Sequence, residues 1–366
     1  MIETMTPWLE FLMQQGAHLA TGISATSLAN PPDTALPQIH HFGTTAPSVA
    51  PRIDFVAPLV DLGLIALTGD DAPAFLHNQL TNDVEHLGQA EARLAGYCSP
   101  KGRLLATMLM WKSADRIMLQ LPRQIQPALQ KRLQMFVLRA NAKLADVSDS
   151  YAILGLAGPA ATAALSEWFP AMPAAPYAKT ESIAGTLIRH ADASGVARYQ
   201  WVSTPQTAED AWPKLVRTLQ SVGPQVWRLT DIDAAIPQIT LPTQEQFVPQ
   251  MVNFEVIGGV NFKKGCYPGQ EIVARSQYLG KLKRRMMLAS VASNALAPGM
   301  EVFSQADPAQ PCGMIVNAEP VSAGQMDCLV EIKVAALDAG SVHAGSADGP
   351  VMDFKPLPYA FSDPTA

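Results

Sequence analysis

At 366 residues the chain exceeds one ordinary domain, and two or three are expected from the usual size of about 100 to 200 residues. Hydrophobic residues make up 48% and charged residues 16%, which supplies packed cores and excludes a disordered polymer. The net charge of -6 and pI near 5.6 exclude a global basic field, so no direct DNA binding is expected.

Taken from the N-terminus, Thr6 as cap, Pro7 in the first turn and Trp8, Phe11 and Leu12 at helical spacing predict a short amphipathic helix rather than a secretion signal. No apolar run approaches the roughly 18 to 20 residues that span a bilayer, so no membrane partner is expected. Residues 17–58, rich in Pro, Thr, Ala and Ser, read as an irregular arm. His40 and His41 lie in it, and their side chains are expected to point apart without forming a metal site.

Order then becomes legible. A strand at 64–67, a turn at Gly69-Asp70-Asp71, a helix over 72–80, a hairpin of strands 95–98 and 104–111, a strand at 116–121, a helix over 125–137 and a strand at 142–147 follow from residue patterning. A similar order recurs as strand 151–156, helix 160–169, hairpin strands 186–190 and 196–202, and helix 208–222. Leu67, Gly69, Ala72 and Leu76 match the spacing of Leu156, Gly158, Ala161 and Leu165, while Pro127, Leu129 and Leu133 match Pro213, Leu215 and Leu219. The fold class expected is α+β, with two ferredoxin-like split βαβ units related by duplication. Short strands with frequent turns from Met286 onward predict a small C-terminal β-barrel, with a frayed tail after Pro356. In linear terms the segments are 1–58 for helix and arm, 59–149 and 150–285 for the two units, and 286–366 for barrel and tail.

Four cysteines, Cys98, Cys266, Cys312 and Cys328, form no C-x-x-C pair and no Cys/His cluster at zinc spacing, so free thiols, no metal and a cytoplasmic setting are expected. Cys266 sits in Lys264-Gly265-Cys266-Tyr267-Pro268-Gly269-Gln270-Glu271, a tight turn leading into a helix. A thiol beside lysines and near a helix N-terminus has the ingredients of a reactive thiolate, whereas an arbitrary cysteine is more often a small buried hydrophobe. Residues 263–285 hold Lys263, Lys264, Arg275, Lys281, Lys283, Arg284 and Arg285 against the single acid Glu271, which reads either as a solvated basic face or as the rim of a site for a polyanionic tail.

This signature, followed by Ile272-Val273-Ala274-Arg275, resembles the K-G-C-Y-x-G-Q-E signature of the YgfZ family of folate-binding proteins. Further likeness lies in Leu67 to Ala72, Gln79-Leu80-Thr81-Asn82-Asp83-Val84, Pro100-Lys101-Gly102-Arg103 and the segment 227–237. The resemblance implies a fold related to the glycine-cleavage T-protein, interleaved around a central channel, and tetrahydrofolate or another folate as non-covalent cofactor. It also implies a role in supporting iron-sulfur proteins or their assembly factors, including enzymes that modify tRNA. It makes Cys266 the functional candidate and places Trp227, Lys264, Tyr267, Gln270, Glu271 and Arg275 at the folate site, with Tyr97, Gln79 and Asn82 as further lining candidates. Leu62 stands where the family carries a second tryptophan. Aminomethyltransferases carry an acid just after the hairpin glycine, whereas here Gly102 is followed by Arg103, so aminomethyl transfer is not expected. The alternatives are a one-carbon transferase of that class and a ligand-free interaction scaffold.

Overall fold

A computed structural model describes residues 5–19, 38–43, 48–278 and 282–361. The fold is mixed α/β and divides into two compact units, each made of two stretches of chain: 1–63 with 147–227, and 64–146 with 228–366. These units and the linear segments of the sequence reading divide the chain differently.

In the first unit the strands order as Lys179–Ser182, Gly185–Ala193, Val196–Ser203, Ala152–Ala157, Phe55–Pro58 and Gln220–Ser221. The helix Pro7–Gln14 forms as its residues dictate, with Thr6 Oγ1 accepting from the Leu9 amide at 3.3 Å, and it buries Trp8, Leu9 and Leu12. Of the expected irregular arm, residues 20–37 and 44–47 lie outside the described residues, and the described remainder is more ordered than its composition suggests. Ala17–Leu19 pairs with Ile39–Phe42, and Phe55–Pro58 is a fully buried strand whose four residues show no alternation, the pattern of a strand covered on both faces.

In the second unit a five-stranded sheet runs Ala92–Cys98, Leu104–Ser113, Arg116–Pro122, Leu62–Thr68 and Lys143–Asp146. The spacing echo between the units has a conformational counterpart. Gly69 and Gly158 both follow a buried strand and precede a helix, with φ of 107° and 105°, and an added Cβ would meet Asn141 O at 2.2 Å and Asp54 Oδ1 at 2.3 Å respectively. Only glycine holds that backbone at such close approach. The second echo does not correspond in position, because Pro127 opens the helix Gln126–Val137 whereas Pro213 lies near the end of Pro205–Leu215.

The C-terminal segment is a curled antiparallel sheet ordered Val342–Ala344, Glu301–Ser304, Asp307–Ser322, Gln325–Lys333, Arg284–Val291 and Met352–Lys355, with a bridge between His343 and Val351 bringing its two ends together. The tail is not frayed through residue 361: Tyr359 donates its hydroxyl to Ala235 O at 3.1 Å and accepts from Asn253 Nδ2 at 3.3 Å. Arg284 anchors the first strand by two bonds of 2.8 Å to the carboxylate of Glu331, which is 1% exposed. Burial raises the Glu331 carboxyl above the usual range despite that partner. Arg284→Met should therefore lower unfolding free energy at neutral pH by about 2–3 kcal/mol, an amount reduced because Arg284 is itself partly exposed. Urea melts should show the penalty shrinking as pH falls and Glu331 becomes neutral.

Candidate functional site

The second unit assembles the signature from the turn upward. Gly269 adopts φ 77° and packs against the hairpin turn, where an added Cβ would lie 2.4 Å from Ser99 O and 2.5 Å from Gly102 N. Gly102, at φ 69°, returns the contact, since its Cβ would come within 2.9 Å of Ile272 Cβ and 3.1 Å of Gly269 O. Two sequence-distant glycine turns thus meet backbone to backbone. The helix Gln270–Tyr278 begins immediately beyond, with Val273 N bonded to Gly269 O at 3.2 Å, so Cys266 lies in the turn ahead of the helix.

Lys264 crosses from the signature to the turn 77–80. Its Nζ donates to the carbonyls of His77 and Leu80, the latter at 2.7 Å, and stands 4.9 Å from the centroid of the Tyr267 ring. Burial lowers the ammonium to about 8, opposed by the charges of Asp83, Cys266 and Glu85. Tyr267 is buried, its phenol is pushed up by burial and by Cys98, and its OH finds no hydrogen-bond partner among the described residues. Ser99 Oγ and Gln79 Oε1 are likewise buried and unmatched. Cys266 is exposed, whereas Cys98, Cys312 and Cys328 are buried, and burial pushes the thiols of Cys98 and Cys328 up to about 12.

Several lining candidates have other employment. Asn82 Nδ2 donates to Leu94 O and Gly258 O, both at 2.7 Å, fastening the loop before the signature to the sheet. Thr81 Oγ1 does the same by donating to Gly259 O at 2.6 Å and accepting from Gly96 N at 2.7 Å. Tyr97 is 1% exposed, bridges to Leu80, and lies 6.0 Å beneath the Arg132 guanidinium. Gln270 is half-buried, and Glu271 and Arg275 are exposed. The basic stretch divides: Arg284 and Arg285 hold the buried carboxylates of Glu331 and Glu255, while Lys263, Arg275 and Lys283 are exposed. Lys281 lies outside the described residues.

In the first unit Trp227 is 3% exposed, with its indole over Gly155, where a Cβ would meet Cε3 at 2.4 Å. Arg198 lies 4.9 Å from its ring, and the His190 ring stands edge-on at 5.1 Å. These are core surroundings. Leu62 is buried as well, at the start of the strand Leu62–Thr68. His40 and His41 do not point apart, since their Nδ1 atoms are 3.1 Å apart and His18 stacks on His41 at 4.6 Å across the two strands. No group of three or more metal-ligating side chains occurs among the described residues.

His77, which no sequence motif marks, is buried with its Nδ1 3.1 Å from Asp83 and 3.9 Å from Glu85. A histidine six residues ahead of an aspartate carries no motif by itself. Only the turn at 77–83 brings it to the signature.

The arrangement is GcvT-like. Residues 58–239 match the GCVT N-terminal domain family. Among solved structures, glycine cleavage system aminomethyltransferase T from Bartonella henselae aligns over 96% of both chains at 15% identity with a TM-score of 0.75, which shows a shared fold. Heterotetrameric sarcosine oxidase from Corynebacterium sp. U-96, in complex with pyrrole 2-carboxylate, covers 44% of this chain and 84% of its own at 17% identity and TM-score 0.31.

Two outcomes test these placements. Gly269→Ala should cost about 2 kcal/mol or more in chemical denaturation, because it combines an unfavourable φ with a clash against backbone. His190, buried beside the Arg198 charge, has its imidazole lowered to about 3, so the native state holds fewer protons than the unfolded chain between there and about 6.5. Stability should fall as pH drops through that window, by roughly 1 kcal/mol per pH unit, and His190→Gln should flatten the dependence in pH-resolved thermal melts.

Proposed function

We propose that this protein is a folate-binding accessory factor of the YgfZ type, acting in the cytoplasm to support iron-sulfur proteins or their assembly factors and, through them, tRNA modification. The observation that carries this reading is the junction of the signature with the hairpin turn at Gly269 and Gly102, a GcvT-like frame without the transferase's acid. Arg103 follows Gly102, and its guanidinium turns away onto the carbonyl of Gln246. A cationic aminomethyl group would lack its carboxylate partner there. The two mixed sheets are read as split βαβ units derived by duplication and set around a channel.

Folate suits the residues present. Tyr267 OH, Ser99 Oγ and Gln79 Oε1 are buried and unmatched, fitting the donors and acceptors of a pterin, and the exposed Lys263, Arg275 and Lys283 suit a glutamate tail. Lys264 holds the turn in shape rather than contacting ligand, given its two carbonyl bonds. Trp227 supports the frame through packing, and Cys266 is the exposed group available for thiol chemistry or a transient partner.

The fold likeness to an aminomethyltransferase keeps a one-carbon transferase as the second reading. Tetrahydrofolate should quench the intrinsic tryptophan fluorescence, and Tyr267→Phe should weaken binding by about fivefold to thirtyfold, the loss of one buried hydrogen bond. Absence of quenching with no change in thermal midpoint removes the folate reading. Cys266→Ala should bind folate normally yet fail to restore iron-sulfur enzyme activity in a strain lacking the protein, and full restoration removes the thiol role. Measurable aminomethyl transfer would favour the second reading.

A further inference from the structure

We infer that His77 is the proton acceptor for the Cys266 thiol and that Asp83 sets its orientation. The inference rests on Cys266 as the reacting group of the signature and does not depend on which ligand the site takes.

His77 is 8% exposed, so its ring has little freedom. Its Nδ1 lies 3.1 Å from Asp83 Oδ1 and 3.9 Å from Glu85 Oε2. The first separation is that of an ion pair, yet the contact lacks the alignment of a directed hydrogen bond, so the field of the two carboxylates, more than one bond, holds the ring. Asp83 is itself fixed: Oδ1 accepts from the His86 amide at 3.1 Å, Oδ2 lies 2.9 Å from His86 Nδ1, and Arg93 donates to the Asp83 carbonyl at 2.9 Å. Burial would raise the Asp83 carboxyl, but the bonds from His86 and the nearby His77 outweigh it and hold it below the usual range. An ionised carboxylate beside Nδ1 places the neutral ring's proton on that nitrogen and leaves Nε2 as the acceptor.

Nε2 faces the signature. It lies 3.7 Å from the position a Cβ would take at Gly265, the residue before Cys266. Gly265 is not among the positive-φ glycines, and an added Cβ there would meet nothing closer than this imidazole nitrogen. The glycine is therefore required neither by backbone conformation nor by crowding, and its effect is to leave open the space between His77 and the turn carrying the thiol. Lys264, the other charged group beside the turn, donates to two carbonyls, one of them that of His77. It contributes positive field and is placed as a donor. His77 thus stands beside the residue that precedes the thiol, with Asp83 at its other ring nitrogen, the order of nucleophile, base and orienting acid used by thiol nucleophiles. The step is a transfer of the Sγ proton to Nε2, giving a thiolate and an imidazolium whose Nδ1 lies beside Asp83 and Glu85.

The test is alkylation of the full-length protein by iodoacetamide without folate, read at Cys266 by peptide mass from about pH 6 to 10. Sulfur displaces iodide and forms the carbamidomethyl thioether, and the buried positions of the other three cysteines keep the signal specific. Relative to wild type, His77→Gln should slow alkylation about tenfold at pH 7, and the two rates should converge above about pH 9.5, where an ordinary thiol ionises unaided. Gly265→Val, which places bulk between the imidazole and the turn, should reproduce that pH-dependent loss and guards against a folding defect in the first variant. Wild-type rates at pH 7 in a folded variant overturn the inference, and so does a slowing that is the same at every pH, which would mark a change in access only. Because folate is absent throughout, failure here leaves folate binding untouched, and failure of folate binding leaves this result standing.

Discussion

The contact between Gly102 and Gly269 governs the candidate site. Each turn needs a positive φ, and each presents bare backbone to the other at a separation that no side chain permits. Once these turns meet, the direction of the helix Gln270–Tyr278 and the placement of Lys264, Cys266 and Tyr267 ahead of it follow from short stretches of chain with little freedom. The anchoring is reinforced from the other side by Lys264, which ties the signature to the carbonyls of His77 and Leu80, and by Thr81 and Asn82, which fasten the preceding loop. Polar side chains in this region therefore divide into those satisfied by the protein and those, such as Tyr267 and Ser99, with unmatched atoms.

Legibility in the sequence followed the range of the interaction. Helices and hairpins set by local rules were readable, as with Thr6 and Pro7 at the first helix and the period of Ile125, Leu129 and Leu133. The strand Phe55–Pro58 was hidden because a strand buried on both faces lacks alternation, and its proline suggested a loop. The chain's division was hidden too, since residues 228 onward belong with 64–146 through contacts that no linear pattern announces.

At the site the signature was readable by its density of Gly, Pro and Lys, but the roles inside it were not. Sequence read the lysines and arginines together, as a solvated basic face or the rim of a polyanion site; structure turned Lys264 inward and paired Arg284 and Arg285 with buried acids. The association of His77 with Asp83 depends on a turn, and its facing toward Gly265 depends on chain nearly two hundred residues away. Trp227, singled out in the sequence for a ligand face, packs against Gly155 and Arg198.

The distribution of the four thiols has a consequence for assembly. Cys98, Cys312 and Cys328 are enclosed and Cys266 alone is exposed, which makes the folded chain monovalent toward sulfur. Under oxidising conditions such a molecule forms one covalent link and stops, either to a second copy or to a single foreign thiol, and it cannot crosslink into larger aggregates while it stays folded. Any covalent complex captured through it would have a fixed one-to-one composition.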